Sequence, residues 1–157
     1  MKPTPIASAY RFPDRIVLHS HGLLPSWIHI ACDPYISLPP TASPEQIGQA
    51  VRTVLHSYRP EMPDPADFKK VREDFVRNMG VKSNKRLQET SINCGLRAEN
   101  GTIKFEPTHN GGTSGDSKGF QATSGTAFSI PSGGNDAELG NALLRAFDLC
   151  TSIYSND

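Results

Sequence analysis

The stretch HSHGLLPSWIHIAC, residues 19–32, gathers His19, His21, His29 and Cys32. Imidazole and thiolate are the ligands zinc prefers, so metal binding is the first chemistry to weigh. His19 and His21 share one face of a strand, because side chains alternate along it. His29 and Cys32 stand three apart, so they face opposite sides. No carboxylate stands at a ligand spacing nearby. The histidines therefore read as residents of a wet edge strand, and neither a metal nor a cofactor is expected.

A second chemistry is phosphodiester cleavage, which needs a base, an acid and a cation around a phosphate. His19, His21, His109 and Lys104 supply those residue types. Their spacing does not enforce the arrangement, so a small nuclease or nucleic-acid-associated domain stands as the alternative function. It requires His19, His21 and His109 to converge in one pocket. The run GGTSGDSKG resembles a phosphate cradle in composition only. A P-loop needs Gly-Lys-Ser/Thr opening a helix, whereas Lys118 is followed by Gly119 and a strand-like run. Gly115-Asp116-Ser117-Lys118-Gly119 has the Gly-x-Ser-x-Gly spacing, but a strand-like run and not a helix follows it, so it is no nucleophile elbow. Cys94 falls in mid-strand, where packing is its expected role.

The elements that must position these groups are legible in outline. RIVLHSH (15–21) and SWIHIAC (26–32) read as strands joined by a hairpin, and YISLP (35–39) as a further short strand. A capped helix spans about 44–57. In EMPDPAD, Asp64 is expected to cap a second helix with Pro65 at its first position and Gly80 at its end. ETSINCGLRA and TIKFEP flank Asn100-Gly101, the favoured pair for a two-residue hairpin turn. Residues 109–119 read as a flexible loop, FQATSGTAFSIP as a returning strand, and a final helix precedes a short polar ending, Ser155-Asn156-Asp157.

Residues 36–58 align without a gap on residues 128–150. Ser37, Pro39, Gly48 and Ala50 match Ser129, Pro131, Gly140 and Ala142. Ile47, Ala50, Val51, Val54, Leu55 and Tyr58 repeat the apolar spacing of Leu139, Ala142, Leu143, Ala146, Phe147 and Cys150. That spacing is one face of an amphipathic helix. Ser43 with Gln46, and Asn135 with Glu138, supply matching capping boxes. A glycine inside a helix costs about 1 kcal/mol against alanine. Finding it twice, at Gly48 and Gly140, implies close approach of another backbone. The expectation is an α+β fold. It has one largely antiparallel sheet with the helices on one face, built from two β-then-helix halves related by an internal repeat.

The 157 residues fit a single domain, 1–157, able to bury a real core. No apolar run approaches the length of a membrane span, and the N-terminus lacks the apolar centre of a signal peptide. Cys32, Cys94 and Cys150 are widely spaced and odd in number. That argues against a disulfide framework and for a reducing cytoplasm. Net charge is zero, with 16 basic and 16 acidic residues. This weighs against general nucleic-acid binding, but the charge is segregated. Residues 67–86 carry seven Lys/Arg against three Asp/Glu, and residues 99–157 carry three against seven.

Three stretches resemble a known family. Gly101-Thr102-Ile103-Lys104-Phe105-Glu106-Pro107-Thr108 is similar to its hairpin strand ending in Pro-Thr. Glu138-Leu139-Gly140, followed by Ala142-Leu143, Ala146 and Cys150, looks like its closing helix. VKSNKRLQ (81–88) is similar to its link between middle helix and hairpin. Over residues 81–150, and more faintly over 15–58, the chain resembles the immunity proteins of bacterial contact-dependent growth inhibition systems. The resemblance implies a non-enzymatic, cytoplasmic protein. Its partner would be the C-terminal toxin domain delivered by a neighbouring cell, with no direct contact to nucleic acid or membrane. Such toxins are often nucleases, and inhibition would come from covering the active site or substrate surface. Nuclease surfaces are basic, so their inhibitors tend to be acidic. The neutral net charge departs from that pattern and directs attention to local patches. Glu99, Glu106 and Asp116 are the candidate toxin contacts. The basic helix face of Lys69, Lys70, Arg72 and Arg77 is the rival surface.

Overall fold

The computed structural model describes residues 3–154. IASAYR, in which the small residues Ala7, Ser8 and Ala9 precede Tyr10, forms strand β1 (Ile6–Arg11). β2 (Ile16–Leu23) and β3 (His29–Leu38) follow. The two expected strands 26–32 and 35–39 are one, β3. It carries a register shift opposite His19 and Ser20, where Tyr35 and then Cys32 are the partners. α1 (Pro44–His56) and α2 (Phe68–Met79) come next, then α3 (Asn84–Thr90). β4 (Ile92–Glu99) and β5 (Thr102–Asn110) form the hairpin, with Asn100 and Gly101 both at positive φ as the turn demands. β6 (Phe120–Ala122), β7 (Phe128–Pro131), α4 (Asp136–Leu149) and β8 (Thr151–Ser152) complete the described chain.

The sheet order is β3-β2-β1-β4-β5-β6, with β7 and β8 also pairing with β5. Its named pairings are antiparallel except that of β5 with β8. The chain is thus an α+β protein, as the grouping of helices and hairpins implies. α1 and α4 share one face, where they pack with Ile16, Leu18, Leu96, Ile103 and Phe105. Ala7 and Ala9 keep the sheet surface low beneath them. Leu139, Leu143 and Phe147 are fully buried there, each stabilising the fold by about 1.5–3 kcal/mol. The opposite face carries a smaller core of Tyr10, Phe12 and Val17, joined by Met79 of α2 and Leu87 of α3. The middle helices therefore form a second layer on the face that α1 and α4 leave open.

Local chemistry explains where the elements depart from expectation. α2 starts three residues later than the Pro65 signal suggests, because Asp67 rather than Asp64 caps it. The Asp67 carboxylate accepts from the Lys69 and Lys70 amides at 2.9 and 3.3 Å. Gly80 ends the helix in the left-handed conformation, as expected. The returning strand is broken in two at Thr123 and Thr126, whose hydroxyls bond each other at 2.6 Å. The polar ending, residues 155–157, lies outside the described residues.

The two helix glycines meet the other helix reciprocally. A Cβ on Gly48 would overlap the backbone carbonyl of Asp136, the first residue of α4. A Cβ on Gly140 would overlap the carbonyl of Pro44, the first residue of α1. The close approach inferred from the sequence is therefore real. It is a property of the helix crossing and does not in itself establish an internal repeat. The polar clamp at the crossing is one-sided. Arg52 of α1 bonds the Asp136 carboxylate at 2.7 Å and the Ser132 carbonyl at 2.8 Å, and also donates to the Gly134 carbonyl. Leu144 stands at the equivalent place in α4.

Candidate functional site

The histidines are where a catalytic reading would begin. β1 covers one edge of β2, so the wet edge strand expected for His19 and His21 is a central strand instead. His19 is 1% exposed. Its ring stacks on Tyr10 and lies against Tyr35 and Phe75, with His21 at 4.9 Å between centroids. His19 Nδ1 donates to the Ser20 carbonyl at 2.8 Å, and Nε2 has no partner. His21 Nε2 lies 2.7 Å from Ser8 Oγ, and its Nδ1 is buried without one. Burial holds the His19 pKa down to about 4, against the pull of the Ser20 carbonyl. Burial, then repulsion from His19 and His29, holds His21 down to about 3. Both rings are neutral at physiological pH.

His109 does not join them. It sits on β5, three strands away from β2 in the sheet order. By the alternation of β5 it faces the α1/α4 side, as Ile103 and Phe105 do, whereas His19 faces the Tyr10 side. Its Nδ1 lies 2.7 Å from Thr151 Oγ1. Lys104, on the same strand, points to the opposite face from His109. The constellation needed for phosphodiester cleavage is not assembled. Among the described residues, no group of three or more His, Cys, Asp or Glu side chains is placed to hold a metal ion. Burial raises the pKa of all three cysteine thiols, Cys94 the furthest, which keeps them protonated and poor nucleophiles.

The candidate binding carboxylates are spread along one hairpin. Glu99 closes β4 opposite Thr102, at the Asn100-Gly101 turn. Glu106 lies in mid-strand opposite Gly95 and pairs with the Arg97 guanidinium at 3.4 Å. Glu106 and Arg97 border a shallow groove across the sheet, with the largely buried Asn93 and Thr108 in its lining. Asp116 is on the loop beyond Asn110, at the far end of β5 from Glu99. Nine residues of strand, about 30 Å, separate those ends. Glu99 and Asp116 thus lie at opposite ends of β5.

The Asp116 loop is tied at its base. Gly111 N–H donates to the Gly119 carbonyl at 2.9 Å, and Gly119 N–H to the Gly112 carbonyl at 2.8 Å. Below it, the fully buried Asn110 amide donates to the Gln88 and Ser91 carbonyls and accepts from Gly112 N–H. The loop read as flexible is thus a ring with a fixed base, and its exposed tip spans residues 113–118.

On α2, Lys69, Lys70, Arg72 and Arg77 are all exposed. Lys70 and Arg77 both pair with Asp74, at 3.0 and 2.8 Å. Their hydrogen bonds hold the Asp74 carboxyl below its usual range. Lys69 and Arg72 make no ion pair among the described residues. Two of the four cations of the rival basic face therefore share one carboxylate, which offsets a single positive charge.

Sequence reasoning missed one surface. The turn from Leu24 to Ile28 carries Trp27, 71% exposed, and Ile28, 59% exposed. The signal available was that the only tryptophan of the chain stands two residues after Pro25, at the start of the run read as a strand over 26–32. The register of β1 against β2 and β4 places this turn at the same end of the sheet as Glu99.

The architecture is that of an α+β protein in which His19, His21 and His109 do not converge in one pocket. The model of the CDI immunity protein family matches residues 60–150, and the chain belongs to that family. In fold it is similar to one chain of the CdiA-CT/CdiI toxin and immunity complex from Yersinia pseudotuberculosis. The TM-score is 0.73 at 14% identity, covering 95% of this chain and 98% of that one. It is also similar to a Neisseria meningitidis protein of unknown function, with a TM-score of 0.72 at 15% identity, covering 96% and 97%. None of the curated proteins matches the chain in sequence. No helix among the described residues is long and apolar enough to cross a membrane.

Proposed function

We propose that this chain is the cytoplasmic immunity partner of a contact-dependent growth inhibition toxin. It neutralises the toxin's C-terminal domain, a nuclease, by covering the active site or substrate surface. The observation that carries the reading is the family match over residues 60–150. Occlusion asks no chemistry of the inhibitor, which agrees with neutral, buried His19 and His21 and a distant His109. Glu99, Glu106 and Asp116 are the proposed contacts for basic groups on the toxin.

The test is binding kinetics with the cognate toxin domain, beside growth rescue of cells that express it. Reversing Glu99, Glu106 and Asp116 together to Lys is expected to slow association about tenfold at low salt, with the difference shrinking as salt rises. Unchanged binding in that variant, with binding abolished by reversing Lys69, Lys70, Arg72 and Arg77 to Glu, would move the interface to α2. A wild-type chain that neither binds the toxin domain nor rescues growth would end the immunity reading.

A further inference from the structure

Trp27 sits at φ 66°, in the left-handed region that glycine and asparagine occupy easily and a bulky side chain does not. The fold gains no burial from it, since the ring is largely in solvent. Strain held at an exposed aromatic residue, with no internal return, points outward to a binding role. The turn that presents the ring is rigid. Leu24 N–H donates to the Ile28 carbonyl and Trp27 N–H to the Leu24 carbonyl, both at 2.9 Å. Leu23 and Leu24 beneath it are buried. The segment after α1 braces the other side, with Leu23 N–H on the Arg59 carbonyl and Met62 N–H on the Leu23 carbonyl, each at 2.9 Å. Met62 lies over Gly22, where a Cβ would overlap its sulfur. A turn whose backbone is braced in this way loses little freedom on binding.

The surroundings define what it fits. Pro25, Pro60 and Met62 line an apolar groove with Trp27, and Glu61 stands at its margin. Asp64 borders the adjoining groove that Met62 shares. Glu61 and Asp64 make no ion pair among the described residues, whereas Asp33 nearby is held by Arg59 at 2.6 Å. Glu99 lies at the same end of the sheet. We propose that the Leu24–Ile28 turn is the principal anchor for the toxin domain, with Trp27 entering an apolar socket rimmed by lysine or arginine. This rests on the immunity reading and names the surface that performs it. A central aromatic anchor with a charged rim is the arrangement in which few residues carry most of an interface.

The experiment compares wild type and Trp27→Gly, full length, for binding to the cognate toxin domain and for thermal stability. Glycine relieves the backbone, so the melting temperature is expected to hold or rise while toxin affinity falls about 30-fold or more. Glu61→Lys with Asp64→Lys is expected to slow association at low salt. Wild-type binding with Trp27→Gly within about threefold of it would overturn the anchor and leave the immunity reading standing. A wild type that fails to bind the toxin domain would overturn both. Self-association of the wild type in sedimentation, abolished by Trp27→Gly with toxin affinity unchanged, would assign the turn to a second copy and also overturn the proposal.

Discussion

Acidification from pH 7.5 to pH 5 is expected to destabilise the protein by about 4 kcal/mol through His19 and His21. Each ring is neutral in the fold, with its pKa held down to about 4 and about 3. In the unfolded chain it titrates near its ordinary 6.5. Between those values the unfolded state binds more protons, so stability rises with pH through the window and is complete above it. At pH 5 each ring stands about 1.5 units below its unfolded pKa and above its folded one, worth about 2 kcal/mol. That is a large share of the 5–15 kcal/mol typical of a folded domain. Urea midpoints at the two pH values measure it. His19→Phe places an apolar ring among Tyr10, Tyr35 and Phe75 and should remove about half of the acid effect. Equal midpoints at pH 7.5 and pH 5 would mean that the rings reach water in the native state.

The second large effect is at the helix crossing. In an uncrowded helix, Gly→Ala stabilises by up to about 1 kcal/mol. At Gly48 and Gly140 the sign is expected to reverse. The methyl group meets a backbone carbonyl of the other helix, which cannot rotate away as a side chain would. Each single alanine variant should lose about 1–3 kcal/mol, a fall of several degrees in melting temperature for a chain of this size. The double variant should lose less than the sum. Once one contact forces the helices apart, the other is already relieved. Gly133→Ala is the control, since nothing lies within 4 Å of a Cβ there and its φ is ordinary. A higher melting temperature in either single variant would show that the helices already stand apart.

The sequence reveals most where local chemistry is self-contained. Ser43 with Gln46 and Asn135 ahead of Glu138 cap α1 and α4 in the structure. Asn100-Gly101 turns the hairpin. The paired glycines announced a helix contact before either helix had a partner. What was not legible depends on distant residues. IASAYR has too few branched or aromatic residues to signal a strand, yet it fills the slot between β2 and β4. Without it, β2 is an edge strand and His19 looks wet. With it, the same histidine becomes core. NKRLQET buries only Leu87 and Gln88, too thin a stripe to stand out as a helix. The Arg97 partner of Glu106 follows from strand register. The exposure of Trp27 follows from how the turn is braced by Arg59 and Met62, far along the chain.

The tied base of the loop over residues 111–119 separates length from frame. Gly111, Gly112 and Gly119 close the ring, and Asn110 fastens it to the end of α3. Residues added among 113–116 therefore extend the tip without shifting β5 or the strands beside it. Lengthening such a tip costs little, about 0.6 kcal/mol for each doubling of a flexible loop. The molecule carries there a place where insertions and deletions can accumulate. Kindred chains can differ in reach and chemistry at that rim while their sheets remain in register.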